Sequence, residues 1–214
     1  MFVANRMTKN PITVTPETKV DEAAVLMKKH HFRRLPVVED GKLVGFLNDK
    51  DIMRVAPSPA TTLSKYEITS LLAKMCIRDI MQKDVISVNE EATIEEAALI
   101  MCNNKIGGLP VVSSVGAVVG VITETDIFKA LVDVMGLADG KTRITIEVDD
   151  KVGVVKDIAS VFTEAGLNID SLVTCKQPNG KYEIVVRGDM PSADEIKGKL
   201  EAKGYNVIHT VRIG

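Results

Sequence analysis

The sequence predicts a mixed α/β (α+β) protein in two parts: a duplicated unit, then a separate βαββαβ unit. Three observations predict it. Residues 7–38 laid over 81–112, an offset of 74, share 13 of 32 positions, among them Glu22-Ala23-Ala24 over Glu96-Ala97-Ala98, Met27 over Met101, and Leu35-Pro36-Val37-Val38 over Leu109-Pro110-Val111-Val112. One extra residue in 113–116 then moves the offset to 75 and brings a second repeated device into register, GFLNDKD at 45–51 and GVITETD at 120–126. After Gly136 the pattern changes to strand, helix, strand, strand, helix, strand, the split-βαβ or ferredoxin-like order.

Each element follows from a local pattern. A short strand opens each copy (12–14, 86–88). A helix follows, with Val20, Ala23, Ala24, Met27 or Ile94, Ala97, Ala98, Met101 at the i, i+3, i+4, i+7 spacing of a half-buried face. Thr93 and Glu96 form a capping box at the start of the second of these helices. Two β runs come next (35–39 and 42–47; 109–113 and 117–122), and a further helix starts near Asn48 or Thr123. Between the copies, a proline-rich stretch leads into another capping box, Ser64 with Glu67, and a packed helix carrying Ile68, Leu71, Leu72 and Met75. Tyr66 on that helix reads as packing. Residues 137–141 (LADGK) read as a hinge.

In the last part, Val155, Ile158, Ala159 and Phe162 define one helix face, and Gly166 supplies a helix stop. Ser192 and Glu195 are the box for the second helix, which buries Ile196 and Leu200 and stops at Gly204 before a strand at 206–213. The expected divisions are 1–56, a linker at 57–79 with its helix, 80–136, and 141–214.

Composition excludes several functions. With 27 basic and 29 acidic side chains, the net charge is −2, against the basic excess of a general nucleic-acid binder. Residues 141–214 carry eleven of each sign, so there is no charged tail. Cys76, Cys102 and Cys175 show no CxxC spacing, which argues against a disulfide framework or zinc site and for reduced thiols. Cys102 reads as a small core or flanking residue. No apolar signal stretch and no window near the roughly 18 apolar residues of a membrane span is present, so the expectation is a soluble cytoplasmic protein without a membrane partner. His30-His31 are a poor metal pair, and no Ser/His/Asp set, GxxxxGK[ST] or HExxH occurs. No enzyme, no catalytic cofactor and no metal site are expected.

The repeated device has two readings. Thr123-x-x-Asp126 and Asn48-x-x-Asp51 are good helix starts, and capping alone accounts for both residue types. A helix start can also cradle phosphate, while a carboxylate beside it accepts ribose hydroxyls.

The LPVV runs and the G-x-x-x-x-x-D segments after them resemble a tandem pair of CBS domains, the pseudo-symmetric arrangement called a Bateman module. DDKVGVVKDIASVFTEAGLNI at 149–169 resembles an ACT domain. The order CBS–CBS–ACT resembles bacterial acetoin-utilisation regulatory proteins. The resemblance implies a nucleotide site with Asp126 for ribose and Thr123 and Thr125 for phosphate in copy two. In copy one it implies Asp51, with Asn48 departing from the usual Ser/Thr. The adenine slot is implied at Ser87, Ile106, Gly107, Gly108 and Pro110 in copy two, and at Thr13, Phe32, Arg33, Arg34 and Pro36 in copy one. Arg33 or Arg34 could meet phosphate in either cleft; the alternative is a solvated strand edge. For the ACT part, the resemblance implies an effector site at Asp149, Gly153, Val154, Asn168 and Ile169, with Val152 where the family has proline; the alternative is dimerisation alone.

The implied function is a ligand-sensing regulatory protein. Its CBS pair would bind AMP, ADP, ATP or S-adenosylmethionine. Its ACT domain would bind a small effector such as an amino acid, or dimerise. Partners would be the small-molecule nucleotide, a second copy of the chain as a homodimer, and a regulated enzyme. The rival reading is a ligand-independent scaffold for dimerisation and docking. The Asp126 cleft is expected to be the better nucleotide site, the Asp51 cleft lacking the hydroxyl.

Overall fold

A computed structural model describes residues 1–57, 62, 64–137 and 140–212. Most of the proline-rich start of the linker, two residues of the 137–141 hinge, and Ile213 at the end of the last expected strand lie outside the described residues. The chain divides into two compact units, 1–127 and 128–214.

The first unit contains β1 (Thr8–Lys9), α1 (Val20–His30), β2 (Arg34–Glu39), β3 (Lys42–Asn48), α2 (Asp49–Val55), α3 (Lys65–Leu72), β4 (Val88–Asn89), α4 (Ile94–Asn104), β5 (Gly108–Val112), β6 (Val118–Thr123) and the start of α5 (Glu124–Val134). The helical stripes read from sequence are buried: Val20, Ala23 and Met27 on α1, and Ile94, Ala97 and Met101 on α4. Both helices end on a residue in the left-handed region, His31 (φ 55°) and its repeat counterpart Lys105 (φ 54°). The Thr93–Glu96 box forms in both directions, with Thr93 N–H donating to Glu96 Oε2 (2.7 Å) and Glu96 N–H to Thr93 Oγ1 (3.2 Å).

The covalent repeat and the packed unit are different stretches of chain. Within a copy, Val14 pairs with Val37, and Val88 with Val111, both in parallel. The residues just before them pair with the other copy. Thr8 lies opposite Val121, and Gln82 opposite Phe46. The short helical turns further upstream do the same. Val3 and Ala4 donate to Ala92 and Glu90 (2.8 and 3.0 Å), while Ile77 and Arg78 donate to Thr18 and Pro16 (2.9 and 3.0 Å). These are the same bonds shifted by 74. Each copy therefore completes the other.

A methionine and a glycine close each exchange. A Cβ on Gly120 would run into Met7 Sδ, and one on Gly45 into Met81 Sδ. The glycines of the two repeated devices are thus the seats for the methionines that open the opposite copy.

α3 forms from its Ser64–Glu67 box, Ser64 N–H donating to Glu67 Oε2 at 2.8 Å. Ile68, Leu72 and Met75 join the core of the first copy. Two expectations are corrected here: Leu71 is 44% exposed and Tyr66 84% exposed. The short helix touches the core along a single i, i+4, i+7 stripe, and both residues lie beside it. Cys102 is exposed too, on the outer side of α4.

The second unit holds the rest of α5, then β7 (Thr142–Val148), α6 (Val154–Glu164), β8 (Ser171–Lys176), β9 (Tyr182–Gly188), α7 (Ala193–Ala202) and β10 (Asn206–Arg212). The sheet order is β10-β7-β9-β8, antiparallel throughout, as the ferredoxin-like pattern requires. Its core sets Ile144, Ile146, Ile184 and Val186 against Ile158, Val161 and Phe162 of α6 and Ile196 and Leu200 of α7. The α6 face is rotated from the one expected: Val161 is buried, whereas Val155 is 46% exposed. The Ser192 box does not form a side-chain bond. Ser192 sits at ψ 67°, whereas Ser64 and Thr93 sit at ψ 158°. Gly166 (φ 69°) and Gly204 (φ 86°) terminate α6 and α7 as read from sequence. Among the described residues, no helix is long and apolar enough to cross a membrane.

Candidate functional site

The exchange of leading segments decides which residues share a cleft. Between its two pairings, each leading segment crosses from one copy to the other, and a cavity lies beside each crossing. The first has a volume of about 530 Å³. Pro11 and Ile12 of the crossing segment, Phe32, Arg33 and Arg34, and Thr123, Glu124 and Thr125 at the end of β6 and the start of α5 all border it. The second, of about 310 Å³, is bordered by the repeat-equivalent residues: Val85 and Ile86, Ile106, Gly107 and Gly108, and Asn48, Asp49 and Lys50.

Each cleft thus joins a helix start of one copy to a strand edge of the other, while Arg34, Asp49, Lys50, Lys105 and Gly107 border both. The structure brings Thr123 and Thr125 together with Phe32, Arg33, Arg34 and Gly107, and Asn48 together with Ile106, Gly107, Gly108 and Arg34. Thr13, Ser87, Pro36, Pro110, Asp51 and Asp126 border neither cavity. The two prolines are buried within their strands, and Thr13 points to solvent.

The two aspartates lie just behind the cleft walls, in different states. Asp126 Oδ2 accepts from the Thr123 N–H (2.9 Å) and hydroxyl (2.7 Å), and Oδ1 has no hydrogen-bond partner among the described residues. Asp51 is 2% exposed. Its Oδ2 accepts from Asn48 N–H (3.0 Å), and Oδ1 faces Arg54 Nη2 at 3.4 Å. Asn48 Oδ1 in turn accepts the Asp51 N–H (3.1 Å). The second box is closed, while the first keeps a carboxylate oxygen in reserve. The Thr123 hydroxyl donates to Asp126, while Thr125 is exposed and borders the first cavity.

Cations dominate both walls. Arg33, Arg34, Lys50 and Lys105 border the first cavity against Asp49 and Glu124. Arg34, Lys50, Arg54 and Lys105 border the second against Asp49 and Asp84. Sequence reading missed Lys50 and Lys105, although the repeat register holds the signal: Lys50 is the counterpart of Thr125, and Lys105 that of His31. Burial lowers the pKa of Arg34, with Arg33 adding to the effect and Glu124 and Asp49 opposing it. Phe32 stacks on His30 with ring centroids 5.5 Å apart, fixing an aromatic edge on the first cleft.

In the second unit, Asp149 and Val154 border a cavity of about 430 Å³, with Lys151, Lys181, Lys203 and Tyr205 also on its wall. Asp149, Gly153 and Val154 border a smaller one of about 240 Å³. Lys181 Nζ donates to Glu147 Oε1 at 2.8 Å, which raises the lysine pKa and lowers the carboxylate pKa. Burial, and then its bond to Asp157 (3.0 Å), raises the Tyr205 pKa. Asn168 and Ile169 border neither cavity. Asn168 O lies against Gly188, which pairs with Thr142 at the opposite end of β7. Within one chain, the expected effector residues fall at two ends of the sheet. Among the described residues, no group of three or more His, Cys, Asp or Glu side chains is arranged to hold a metal.

Comparison with known proteins returns two families. The CBS domain matches residues 3–58 and 77–133, and the ACT domain residues 142–205. Inosine-5'-monophosphate dehydrogenase of Korarchaeum cryptofilum is 41% identical over 120 residues, 56% of this chain and 22% of that protein. The chain spans 22% and 44% of the first two curated relatives it matches. Among solved structures, a CBS-domain pair in complex with 5'-methylthioadenosine and S-adenosyl-L-methionine is 30% identical (TM-score 0.51, 61% of this chain and 95% of that one). The Arabidopsis thaliana CBS-pair protein CBSX2 in complex with AMP is 28% identical (TM-score 0.52, 62% and 96%). A Vibrio cholerae protein assigned to acetoin utilization is 29% identical (TM-score 0.53, 64% and 94%).

Proposed function

Because this chain belongs to the CBS-domain family, its CBS pair followed by an ACT domain, we propose that it is a ligand-sensing regulatory protein whose CBS pair binds an adenosine-bearing ligand. The observation that carries this reading is the first cleft: a cavity of about 530 Å³ edged by Phe32, by the start of the 11-residue helix α5, and by four cations. A helix start and a cationic wall favour phosphate. Asp126 Oδ1, which has no hydrogen-bond partner among the described residues, supports a ribose contact from behind that wall. Similar pairs hold AMP, S-adenosylmethionine and methylthioadenosine, which supports the same ligand class here.

The Asp126 cleft is the better site in this reading. Its cavity is the larger, its helix is 11 residues against 7 for α2, and its aspartate keeps a free oxygen. The match to the dehydrogenase covers 22% of that enzyme, which supports a regulatory module and no catalysis of its own. The ACT unit dimerises the chain or takes a small effector such as an amino acid beside Asp149 and Val154. Ligand binding acts on a regulated enzyme partner by its differential affinity for two arrangements.

Thermal-shift measurement with AMP, ADP, ATP, S-adenosylmethionine and NADH, and in parallel with amino acids, tests the proposal. At least one adenosine-bearing ligand should stabilise the protein, and Asp126→Ala should weaken that effect. If none does, the ligand-independent scaffold is the correct reading, since capping already accounts for both aspartates.

A further inference from the structure

Arg33 and Arg34 stand where the second copy has Gly107 and Gly108. Neither glycine has a positive φ, so the backbone does not demand them. The demand comes from Arg34. A Cβ on Gly107 would lie 2.5 Å from Arg34 Nη2 and 2.8 Å from Glu124 Oε2. One on Gly108 would lie 3.0 Å from Arg34 Nε and 3.1 Å from Ile122 O. Arg34 thus reaches across to the other copy and lies over the backbone of its own repeat counterpart. It fills the space that a side chain there would need.

The consequence is that one guanidinium borders both clefts. Arg33 borders only the first cleft and Arg54 only the second; with glycines at the repeat-equivalent positions, Arg34 is the arginine that borders both. Glu124 and Asp49, one from each helix start, act on it electrostatically, so neither cleft holds it exclusively. A guanidinium pairs best as one planar fork with one anion.

We propose that Arg34 is a phosphate-binding group shared by the two clefts, for which they compete, so that an anionic nucleotide in one cleft lowers the affinity of the other. The proposal rests on the nucleotide reading above and predicts how its two sites communicate. Lys50 and Lys105 also border both cavities. As point charges on flexible stems they attract either ligand without the directional pairing that creates the competition.

The test follows each cleft by methyl NMR in the full chain. Ile12 reports the first cleft and Ile86 the second. AMP is titrated into the wild type and into Thr125→Trp, which fills the first cleft from an exposed position. Relief of competition should move the Ile86 midpoint to lower AMP by roughly fivefold to 150-fold. Adding Arg34→Met should abolish that gain. Gly107→Ala, which keeps the arginine but displaces its guanidinium, should reduce it. Adenosine, without phosphate, should show no gain in Thr125→Trp. An Ile86 midpoint for AMP that is the same in wild type and Thr125→Trp overturns the proposal while leaving the nucleotide reading intact. If none of AMP, ADP, ATP, S-adenosylmethionine and adenosine shifts either methyl in the wild type, the nucleotide reading itself falls, and this proposal with it.

Discussion

At the scale of single residues, the two aspartates that look alike in sequence are asked for different things. Asp51 is buried and both its oxygens are engaged, by Asn48 N–H and Arg54. Asp51→Ala should cost about 1–2 kcal/mol of stability, the value of a lost cap, and should be read by urea denaturation. Asp126 keeps one oxygen unengaged. Asp126→Ala should weaken AMP binding roughly 10-fold or more, the loss of a hydrogen bond to a charged group, as measured by calorimetry. Sequence patterning named both aspartates but could not rank them on this ground, because the ranking depends on where Arg54 lies and on the Thr123 hydroxyl donating to Asp126 while Asn48 turns its Oδ1 to the Asp51 N–H. The glycines were legible as places of close approach. That Arg34 lies against them is a matter of distances that no local pattern encodes.

At the scale of elements, the capping boxes and the methionine–glycine contacts lend themselves to measurement. Gly120→Ala pushes a methyl against Met7 and lies 3.1 Å from Thr8 O of the β1–β6 pairing, whereas the three atoms nearest a methyl on Gly45 all belong to the flexible Met81 side chain. Overpacking should cost about 1–3 kcal/mol, with Gly120→Ala the worse of the two in chemical denaturation. The Thr93 cap lowers the pKa of Glu96, backbone hydrogen bond first and hydroxyl second, below its ordinary 4.5. A depressed carboxylate contributes stability that is fully present above the unfolded value and is lost as the pH falls through the folded one. Glu96→Gln should therefore flatten the loss of stability below about pH 4.5, followed by circular dichroism. Ser64–Glu67 and Thr93–Glu96 were visible in sequence and form. Ser192–Glu195 was equally visible and does not, since a box also needs extended backbone at the cap, and Ser192 is turned away from it.

At the scale of the molecule, the two compact units have separate cores, one gathered around Leu35, Leu47 and Ile77 in the first copy, another around Ile146, Phe162 and Val186. Calorimetry should resolve two unfolding transitions. AMP should raise only the one that belongs to the CBS pair, by about 2.7 kcal/mol at a hundred times the Kd; a uniform shift of both would contradict it. The sequence by itself determined the duplication, the order of strands and helices, the change of architecture after Gly136, and part of the cleft walls, Phe32, Arg34, Gly107 and Thr123 among them, because periodicity, caps and repeat register are local and survive in one dimension. Only the tertiary structure decided that each copy lends its leading strand to the other, and so which wall residues meet. It alone decided that a single arginine crosses between them. Exchange of the leading segments conserves every local pattern while changing which copy those segments pair with, which is why the repeat predicted parts of the two clefts and not how they combine.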